Sequence, residues 1–183
     1  MINKIGVLTS GGDAPGMNAA IRGVTRYAIQ KGLTVEGIIR GYEGLLSHET
    51  RPLGRRDVGA IIHRGGTMLR TARCLEFKEK ETQKKAAAYL RELEIDALVV
   101  VGGDGSMRGA QALSRWGIPT ITIPGTIDND MMGTQYTLGF DTAVNTVLES
   151  VNKIRDTAFS HDRVAVIEVM GREAGFIALN GAI

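Results

Sequence analysis

Five residues, Gly102-Gly103-Asp104-Gly105-Ser106, follow a continuously apolar run and precede a helical pattern. Glycines let the backbone approach a polyphosphate closely, and a helix N-terminus presents free N–H groups to an anion. A carboxylate in this place repels phosphate, but it can share Mg²⁺ with phosphate oxygens. Asp104 could instead cap the helix, which explains the acid and one glycine but not three glycines. The segment therefore predicts a nucleotide-phosphate site with Asp104 as a metal ligand.

The same glycines also permit a nicotinamide-dependent oxidoreductase. Gly103, Gly105 and Gly109 form a loose dinucleotide fingerprint, and Asp128 lies about where a ribose-binding acid would fall. The glycine spacing carries one residue too many, so the fingerprint alone is a weak signal. The motif by itself therefore leaves the oxidoreductase alternative open.

A second glycine-rich turn, residues 10–16, follows the first apolar run of the chain. One such turn between a strand and a helix is common, whereas two suggest that both flank one polyphosphate. The sequence contains no GxxxxGK[ST] motif, which excludes a P-loop enzyme.

Paired carboxylates follow another apolar run, in the segment 124–130. Asp128 and Asp130 lie two residues apart, and on an extended loop both would point to the same side. Phosphorylation of an alcohol needs one carboxylate to take the hydroxyl proton while cations absorb the charge of the phosphoryl group. An isolated Asp-Asn-Asp would more often be a solvated Asx turn. Its position at a strand end beside two phosphate loops favours catalysis.

Two arginines accompany the last apolar run. Arg172, in Met170-Gly171-Arg172-Glu173, follows that run and is placed to bind phosphate bidentately. Arg163 precedes the run, and a surface ion pair explains it equally well.

The elements that would hold these segments alternate between apolar runs and helical periods, which predicts an α/β fold with a doubly wound parallel sheet. In such folds ligands bind at the carboxyl ends of the strands, where every glycine-rich segment lies. The predicted strands are 5–8, 35–39, 97–101, 119–123 and 164–169. The predicted helices are 16–31, 57–63, 80–93, 105–116, 140–158 and one beginning at 173.

Composition excludes several classes of protein. The net charge of +2 is too small to indicate a nucleic-acid partner, and no window is long and apolar enough for a membrane span. The single cysteine, Cys74, excludes an internal disulfide framework. The three histidines have no metal-ligand spacing, and the first residues lack the features of a signal peptide. We expect a cytoplasmic protein.

Taken together, the motifs resemble the bacterial-type ATP-dependent 6-phosphofructokinases along the whole chain. The matching segments are 11–18 (GGDAPGMN), 64–67 (RGGT), 102–106 (GGDGS), 124–130 (PGTIDND) and 170–172 (MGR). The resemblance implies the phosphofructokinase fold, which is Rossmann-like. It also implies a kinase of glycolysis that uses ATP and Mg²⁺ to phosphorylate D-fructose 6-phosphate at its 1-hydroxyl, giving fructose 1,6-bisphosphate.

The resemblance also assigns residues to roles. It implies Asp128 as the base, with Thr126, Asp130 and Arg172 as further catalytic residues. It implies Asp104 as the Mg²⁺ ligand. The ATP contacts it implies are Gly12, Arg73, Cys74, Gly103, Asp104, Gly105 and Ser106. The sugar-phosphate contacts it implies are Thr126, Ile127, Asp128, Arg163, Met170, Gly171 and Arg172, with Arg163 reaching a neighbouring subunit.

Donor choice and regulation follow from the resemblance as well. Pyrophosphate-dependent relatives typically carry Asp and Lys where this chain has Gly105 and Gly125, so ATP is the expected donor. The effector-site residues that the resemblance implies, for ADP or phosphoenolpyruvate, are Arg22, Arg26, Arg55 and Arg155. The sequence departs from the family pattern at Ala60, Arg70, Cys74 and Phe176.

The chain has little more than half the length typical of the family. We expect residues 1–138 to form an incomplete ATP-binding domain and residues 139–183 to begin a sugar-phosphate domain. The groups that hold the sugar's 6-phosphate would lie outside this sequence, and a full-length enzyme would be a homotetramer. A non-catalytic nucleotide-binding fragment therefore remains an alternative.

Overall fold

The computed structural model describes residues 2–182, in which strands and helices alternate. The strands are β1 (Lys4–Ser10), β2 (Thr34–Ile38), β3 (Thr50–Pro52), β4 (Ala97–Gly102), β5 (Thr120–Thr126) and β6 (Leu138–Gly139). The α-helices are α1 (Met17–Gln30), α2 (Tyr42–Leu46), α3 (Lys80–Glu92), α4 (Asp104–Arg115), α5 (Phe140–Ser160) and α6 (Phe176–Gly181), and a 3₁₀ helix spans Leu75–Lys78.

The six strands form one sheet in the order β3-β2-β1-β4-β5-β6. All neighbouring pairs are parallel except β2 and β3, so the predicted parallel sheet is confirmed with one antiparallel edge strand added. The chain moves outward from β1 through β2 to β3 and then returns to place β4 on the other side of β1. This reversal puts a topological switch point between the carboxyl ends of β1 and β4, which is where ligands bind in such sheets.

Helices cover both faces of the sheet, as a doubly wound fold requires. Leu8 of β1 and Leu98 of β4 lie in the core on one face, together with Leu113 of α4. Val7 points to the opposite face, where it shares a core with Ile21 of α1. Neighbouring residues of a strand thus face opposite layers, and burial on both sides explains why these strands are continuously apolar.

The helix predicted over 57–63 is wrong, because the segment forms turns. Its apolar side chains Val58 and Ile61 are buried, but its carbonyl groups are used elsewhere. The Arg22 guanidinium donates hydrogen bonds to the carbonyl oxygens of Val58 (2.6 Å) and Gly59 (2.9 Å). Hydrogen bonds from a distant side chain replace those of a regular helix here.

The strand predicted over 164–169 is also wrong. No described strand pairs with it within residues 2–182, and two of its three valines are exposed, Val164 at 94% and Val166 at 97%. A strand needs a hydrogen-bonding neighbour, and an apolar run by itself cannot supply one. The helix predicted to begin at 173 begins at Phe176, after Gly175 in the left-handed region with φ of 69°.

The remaining predicted elements are confirmed with small shifts of their ends. Strand β5 continues to Thr126, so Pro124 and Gly125 belong to the strand rather than to the loop after it. The short elements α2, β3 and β6, with five, three and two residues, were not predicted. No helix of residues 2–182 has both the length and the apolar character that crossing a membrane requires.

Candidate active site

The two glycine-rich loops lie side by side at the switch point. Ser10 at the end of β1 pairs with Gly102 at the end of β4. The Ser106 hydroxyl, in the first turn of α4, donates a hydrogen bond of 2.9 Å to the Ser10 carbonyl. A Cβ at Gly102 would lie 2.5 Å from that same carbonyl oxygen, so this close approach requires glycine. The predicted convergence of both loops on one place is present.

Both loops expose bare backbone to open space. A Cβ built on Gly12 or Gly105 would meet no atom within 4 Å, and one on Gly103 would only reach the Thr126 side chain at 4.0 Å. These glycines are therefore not required by packing within the chain. Open space beside backbone N–H groups at the start of a helix suits an anionic ligand such as a polyphosphate.

Asp104 is the first residue of α4, and Gly103 is the N-cap. The alternative that Asp104 caps the helix is therefore wrong. Its side chain is exposed and forms an ion pair of 2.9 Å with Arg108, one turn further along the helix. No group of three or more potential metal ligands occurs within residues 2–182. One exposed carboxylate beside a phosphate cradle suits Mg²⁺, which commonly takes its other ligands from phosphate and water.

The segment with Arg73 and Cys74 runs past the first loop. The Thr71 hydroxyl donates to the Gly11 carbonyl (2.6 Å), and the Thr9 hydroxyl donates to the Arg70 carbonyl (3.0 Å). Arg73 is exposed, whereas Cys74 is partly buried against the core beneath α3 and α4. Burial raises the pKa of the Cys74 thiol, which keeps the thiol neutral. The segment is thus held beside the first glycine-rich loop.

Tyr42 supports the loop at 102–106 from below and was missed from the sequence. Its hydroxyl donates a buried hydrogen bond of 2.6 Å to the Ser106 carbonyl, and its ring stacks on Phe77 with centroids 4.2 Å apart. Burial raises the pKa of this phenol. A Cβ on Gly109 would lie 2.5 Å from the Tyr42 ring. Gly109 thus has a packing role, which removes one residue of the dinucleotide fingerprint.

Asp128 follows β5 and lies beside the segment with Arg172. Its side chain is 13% exposed, and its Oδ2 lies 3.7 Å from the Nε of Arg172, whose side chain is 70% exposed. Thr126, at the end of β5, is also the residue that approaches Gly103 of the nucleotide loop. The structure therefore brings together an acid, a guanidinium and the glycine-rich loop, three features predicted from separate motifs.

Asp130 does not share the setting of Asp128. Asn129 between them has a φ of 52°, in the left-handed region, so the loop is not extended there. The alternation on which the expected pairing of the two carboxylates rested therefore does not apply. Asp130 is exposed, and Asp128 is partly buried.

The other residues expected at the sugar phosphate differ in exposure. Ile127 is partly buried and packs beside Phe140 and Val144 of α5. Gly171 is buried with a φ of 132°, whereas Met170 next to it is 77% exposed. Arg163 is exposed just beyond α5. Among the residues expected at the sugar phosphate, the contacts within residues 2–182 join Asp128 with Arg172 and, through the Asp128 N–H, with the Thr126 hydroxyl.

The four arginines expected at an effector site lie in three different settings. Arg22 is held by the carbonyl groups of residues 58 and 59. Arg26 and Arg55 are exposed and line one shallow depression with Gly23, Tyr27 and Gln30. Arg155 is exposed on α5 and does not line that depression. Of the four, Arg26 and Arg55 border the same depression.

Comparisons with known proteins agree with this arrangement. The family model described as Phosphofructokinase matches residues 4–183. The chain is 58% identical over 182 residues to ATP-dependent 6-phosphofructokinase 1 of Clostridium perfringens, covering all of this chain and 57% of the relative. It is 62% identical over 183 residues to ATP-dependent 6-phosphofructokinase of Caldanaerobacter subterraneus, with the same coverage.

Solved structures resemble the fold closely. Phosphofructokinase from Saccharomyces cerevisiae superposes with a TM-score of 0.91 at 40% identity, covering 98% of this chain and 28% of that chain. The pyrophosphate-dependent enzyme from Marinobacter aquaeolei gives 0.84 at 26% identity, covering 98% of this chain and 49% of that chain. The chain spans somewhat more than half the length of the curated relatives it matches. Because the family model matches nearly the whole sequence, this chain belongs to the phosphofructokinase family.

Proposed function

We propose that the natural polypeptide containing this sequence is an ATP-dependent 6-phosphofructokinase. It transfers the terminal phosphoryl group of ATP to the 1-hydroxyl of fructose 6-phosphate. The observation that carries this proposal is the Asp128–Arg172 pair at 3.7 Å, at the end of the strand whose last residue, Thr126, approaches the nucleotide loop at Gly103. An acid and a cation beside a polyphosphate cradle are the groups that phosphorylation of an alcohol requires.

Asp128 is the base in this proposal. Its carboxylate takes the proton of the acceptor hydroxyl as that oxygen attacks the terminal phosphorus of ATP, and the bond from phosphorus to the ADP oxygen breaks. The Arg172 side chain is 70% exposed, and in this proposal its guanidinium turns from the carboxylate to the phosphoryl oxygens, whose charge it balances.

The nucleotide loops position the donor. The N-terminus of α4 directs backbone N–H groups at the phosphates, and the open space at Gly12 and Gly105 leaves room for them. Asp104 would hold Mg²⁺ together with phosphate oxygens, and the ion would supply positive charge to the transferring group. Asp104 must release Arg108 to do so, which costs little because both side chains are exposed.

In this proposal, residues 1–138 form the part of the protein that binds the nucleotide. Residues 139–183 begin the part that binds the sugar phosphate, with Arg163, Met170 and Gly171 near the acceptor. Regulation by ADP or phosphoenolpyruvate would act through Arg26 and Arg55, with Arg22 and Arg155 nearby in a homotetramer. A cytoplasmic location suits a glycolytic enzyme. The relatives named above carry the activity in their names, which supports the choice of substrates.

The test uses the full natural polypeptide and its Asp128→Asn variant. We expect the wild type to form fructose 1,6-bisphosphate, and the variant to keep its affinity for ATP while kcat falls by about 10²–10⁴, the usual contribution of a positioned base. A variant with normal kcat would show that Asp128 is not the base. A wild type without turnover, but with nucleotide affinity, would favour the non-catalytic alternative.

The same assay applies to the 183-residue chain alone. The charged hydrogen bonds expected to hold the sugar's 6-phosphate are worth about 1.5–3 kcal/mol each, so several missing together weaken binding by orders of magnitude. We expect Mg-nucleotide affinity with negligible turnover. Turnover near that of the full polypeptide would contradict this expectation.

A further inference from the structure

A side-chain latch closes the loop between β5 and β6. The two strands are parallel neighbours, with Thr126 paired to Gly139, and the loop 127–137 leaves one strand and returns to the other. The Asn129 carboxamide oxygen accepts a hydrogen bond from the Thr137 N–H (2.8 Å), and its nitrogen donates to the Gln135 carbonyl (3.1 Å). The Thr137 hydroxyl donates to the Thr126 carbonyl (2.6 Å). Asn129 and Thr137 thus join the beginning of the loop to its end.

The latch fixes the backbone on both sides of Asp128. On one side, Thr126 is held by Thr137 and its own hydroxyl accepts the Asp128 N–H at 3.2 Å. On the other side, Asn129 is held in the left-handed region, with φ of 52°, a conformation that asparagine tolerates better than most residues. Thr137 is 4% exposed, so water cannot easily replace its hydrogen bonds.

The carboxylate of Asp128 has little of its own to hold it. It accepts no hydrogen bond from any other residue between 2 and 182, and its ion pair with the exposed Arg172 is long, at 3.7 Å. Its position therefore follows from the backbone that carries it. We propose that Asn129 and Thr137 are positioning residues that hold Asp128 where it can take the acceptor's proton. This rests on the proposed function, and it assigns a catalytic effect to two side chains that touch neither substrate.

A merely structural latch would affect stability but not the chemical step, so the test separates the two. In the full natural polypeptide, Thr137→Val removes the hydroxyl while keeping the shape, and Thr137→Ser keeps the hydroxyl. Asn129→Gly removes the carboxamide but permits the positive φ. Thr134→Val is the matched control, since the Thr134 hydroxyl lies in the same loop and its one hydrogen bond to the described residues 2–182 goes to the nearby Tyr136 carbonyl.

We expect Thr137→Val and Asn129→Gly each to lower kcat about 10–100-fold, because a displacement near 1 Å of a catalytic group can cost about 10²-fold. KM for ATP and for fructose 6-phosphate should change less than threefold, and Thr137→Ser and Thr134→Val should keep kcat within threefold. The double variant should lose little more than the worse single one, because both residues act on one carboxylate.

The outcomes separate the latch from the proposed function. A wild type that turns over, with Thr137→Val and Asn129→Gly both at normal kcat, overturns the latch alone. Equal losses of kcat in the Thr134→Val control, or a rise in KM in place of a fall in kcat, overturn it as well. A wild type without turnover overturns both proposals. If Thr137→Val does not fold, as judged by circular dichroism, Asn129→Gly decides the question, because its backbone conformation is unstrained.

Discussion

For the substitution Gly109→Ala, two physical effects predict changes of opposite sign in the free energy of unfolding. It lies in the interior of α4, where alanine is favoured over glycine by about 0.8–1.0 kcal/mol from helix propensity alone. A Cβ at this position would, however, lie 2.5, 2.6 and 2.7 Å from three atoms of Tyr42. Helix propensity therefore predicts that Gly109→Ala stabilises the protein, and packing predicts that it destabilises it.

We expect the packing effect to exceed the effect of helix propensity, because the Tyr42 side chain cannot move away from the added methyl group. The ring is 4% exposed, is stacked on Phe77, and is tied by its hydroxyl to the Ser106 carbonyl. Overpacking costs about 1–3 kcal/mol, and a displaced hydrogen bond costs about 1 kcal/mol more. After the gain in propensity, we expect a net loss of about 1–3 kcal/mol. For a chain of this size, each kcal/mol lowers Tm by about 2–4 °C.

The assay is thermal and urea unfolding of the purified protein, followed by circular dichroism and by the fluorescence of Trp116, its single tryptophan. The Tyr42→Leu background is the control, since it removes most of the ring that the new methyl group would meet. In that background Gly109→Ala should be neutral or stabilising by up to about 1 kcal/mol. A rise in Tm on Gly109→Ala in the wild-type background would refute the packing argument and reopen a ligand role for this glycine.

Three further predictions concern the ligands. With Gly105 facing open space, the natural polypeptide should use ATP and not pyrophosphate, and Gly105→Asp should reduce turnover with ATP; comparable rates with both donors at equal concentration would contradict this. Asp104→Ala should weaken Mg-ATP binding at least tenfold by calorimetric titration, about 1.4 kcal/mol. The control Arg108→Ala removes only the ion-pair partner and should not weaken binding; equal losses in both variants would refute the metal assignment. Arg26→Ala should abolish the effects of ADP or phosphoenolpyruvate on the rate without changing kcat at saturating fructose 6-phosphate. If ADP and phosphoenolpyruvate do not change the rate of the wild-type enzyme, the proposed effector site is wrong.

The buried layers of the fold were predictable because their signals are local. The run 97–101 is apolar on both sides of the strand, and α1 repeats its apolar residues with the helical period, so each segment specifies its own structure. The wrong predictions concern segments whose structure depends on residues that are distant in the sequence. Val58 and Ile61 in the predicted helix 57–63 are buried, but Arg22 takes the carbonyl groups that a helix would have used.

Apolar character likewise predicts burial but not the neighbour that provides it. The 164–169 segment has the composition of a central strand, yet within residues 2–182 it pairs with no strand, and Val164 and Val166 are exposed. The short elements were not predicted for a different reason. A helix of five residues or a strand of two is shorter than the period by which it would be recognised.

At the candidate site, too, some features were predictable from the sequence and others were not. The approach of the Asp128 segment to the glycine-rich loop was predictable, because the carboxyl ends of the parallel strands β4 and β5 meet at one edge of the sheet. The same rule does not explain the approach of Arg172, because residues 164–169 before it form no strand. The expected pairing of Asp128 with Asp130 failed at Asn129, whose left-handed backbone breaks the alternation of an extended chain. That conformation is held by contacts with residues 135 and 137, which become neighbours only once β6 pairs with β5. Motif spacing therefore identifies the candidate catalytic side chains, whereas the geometry that we propose positions Asp128 depends on a loop closure that no local period encodes.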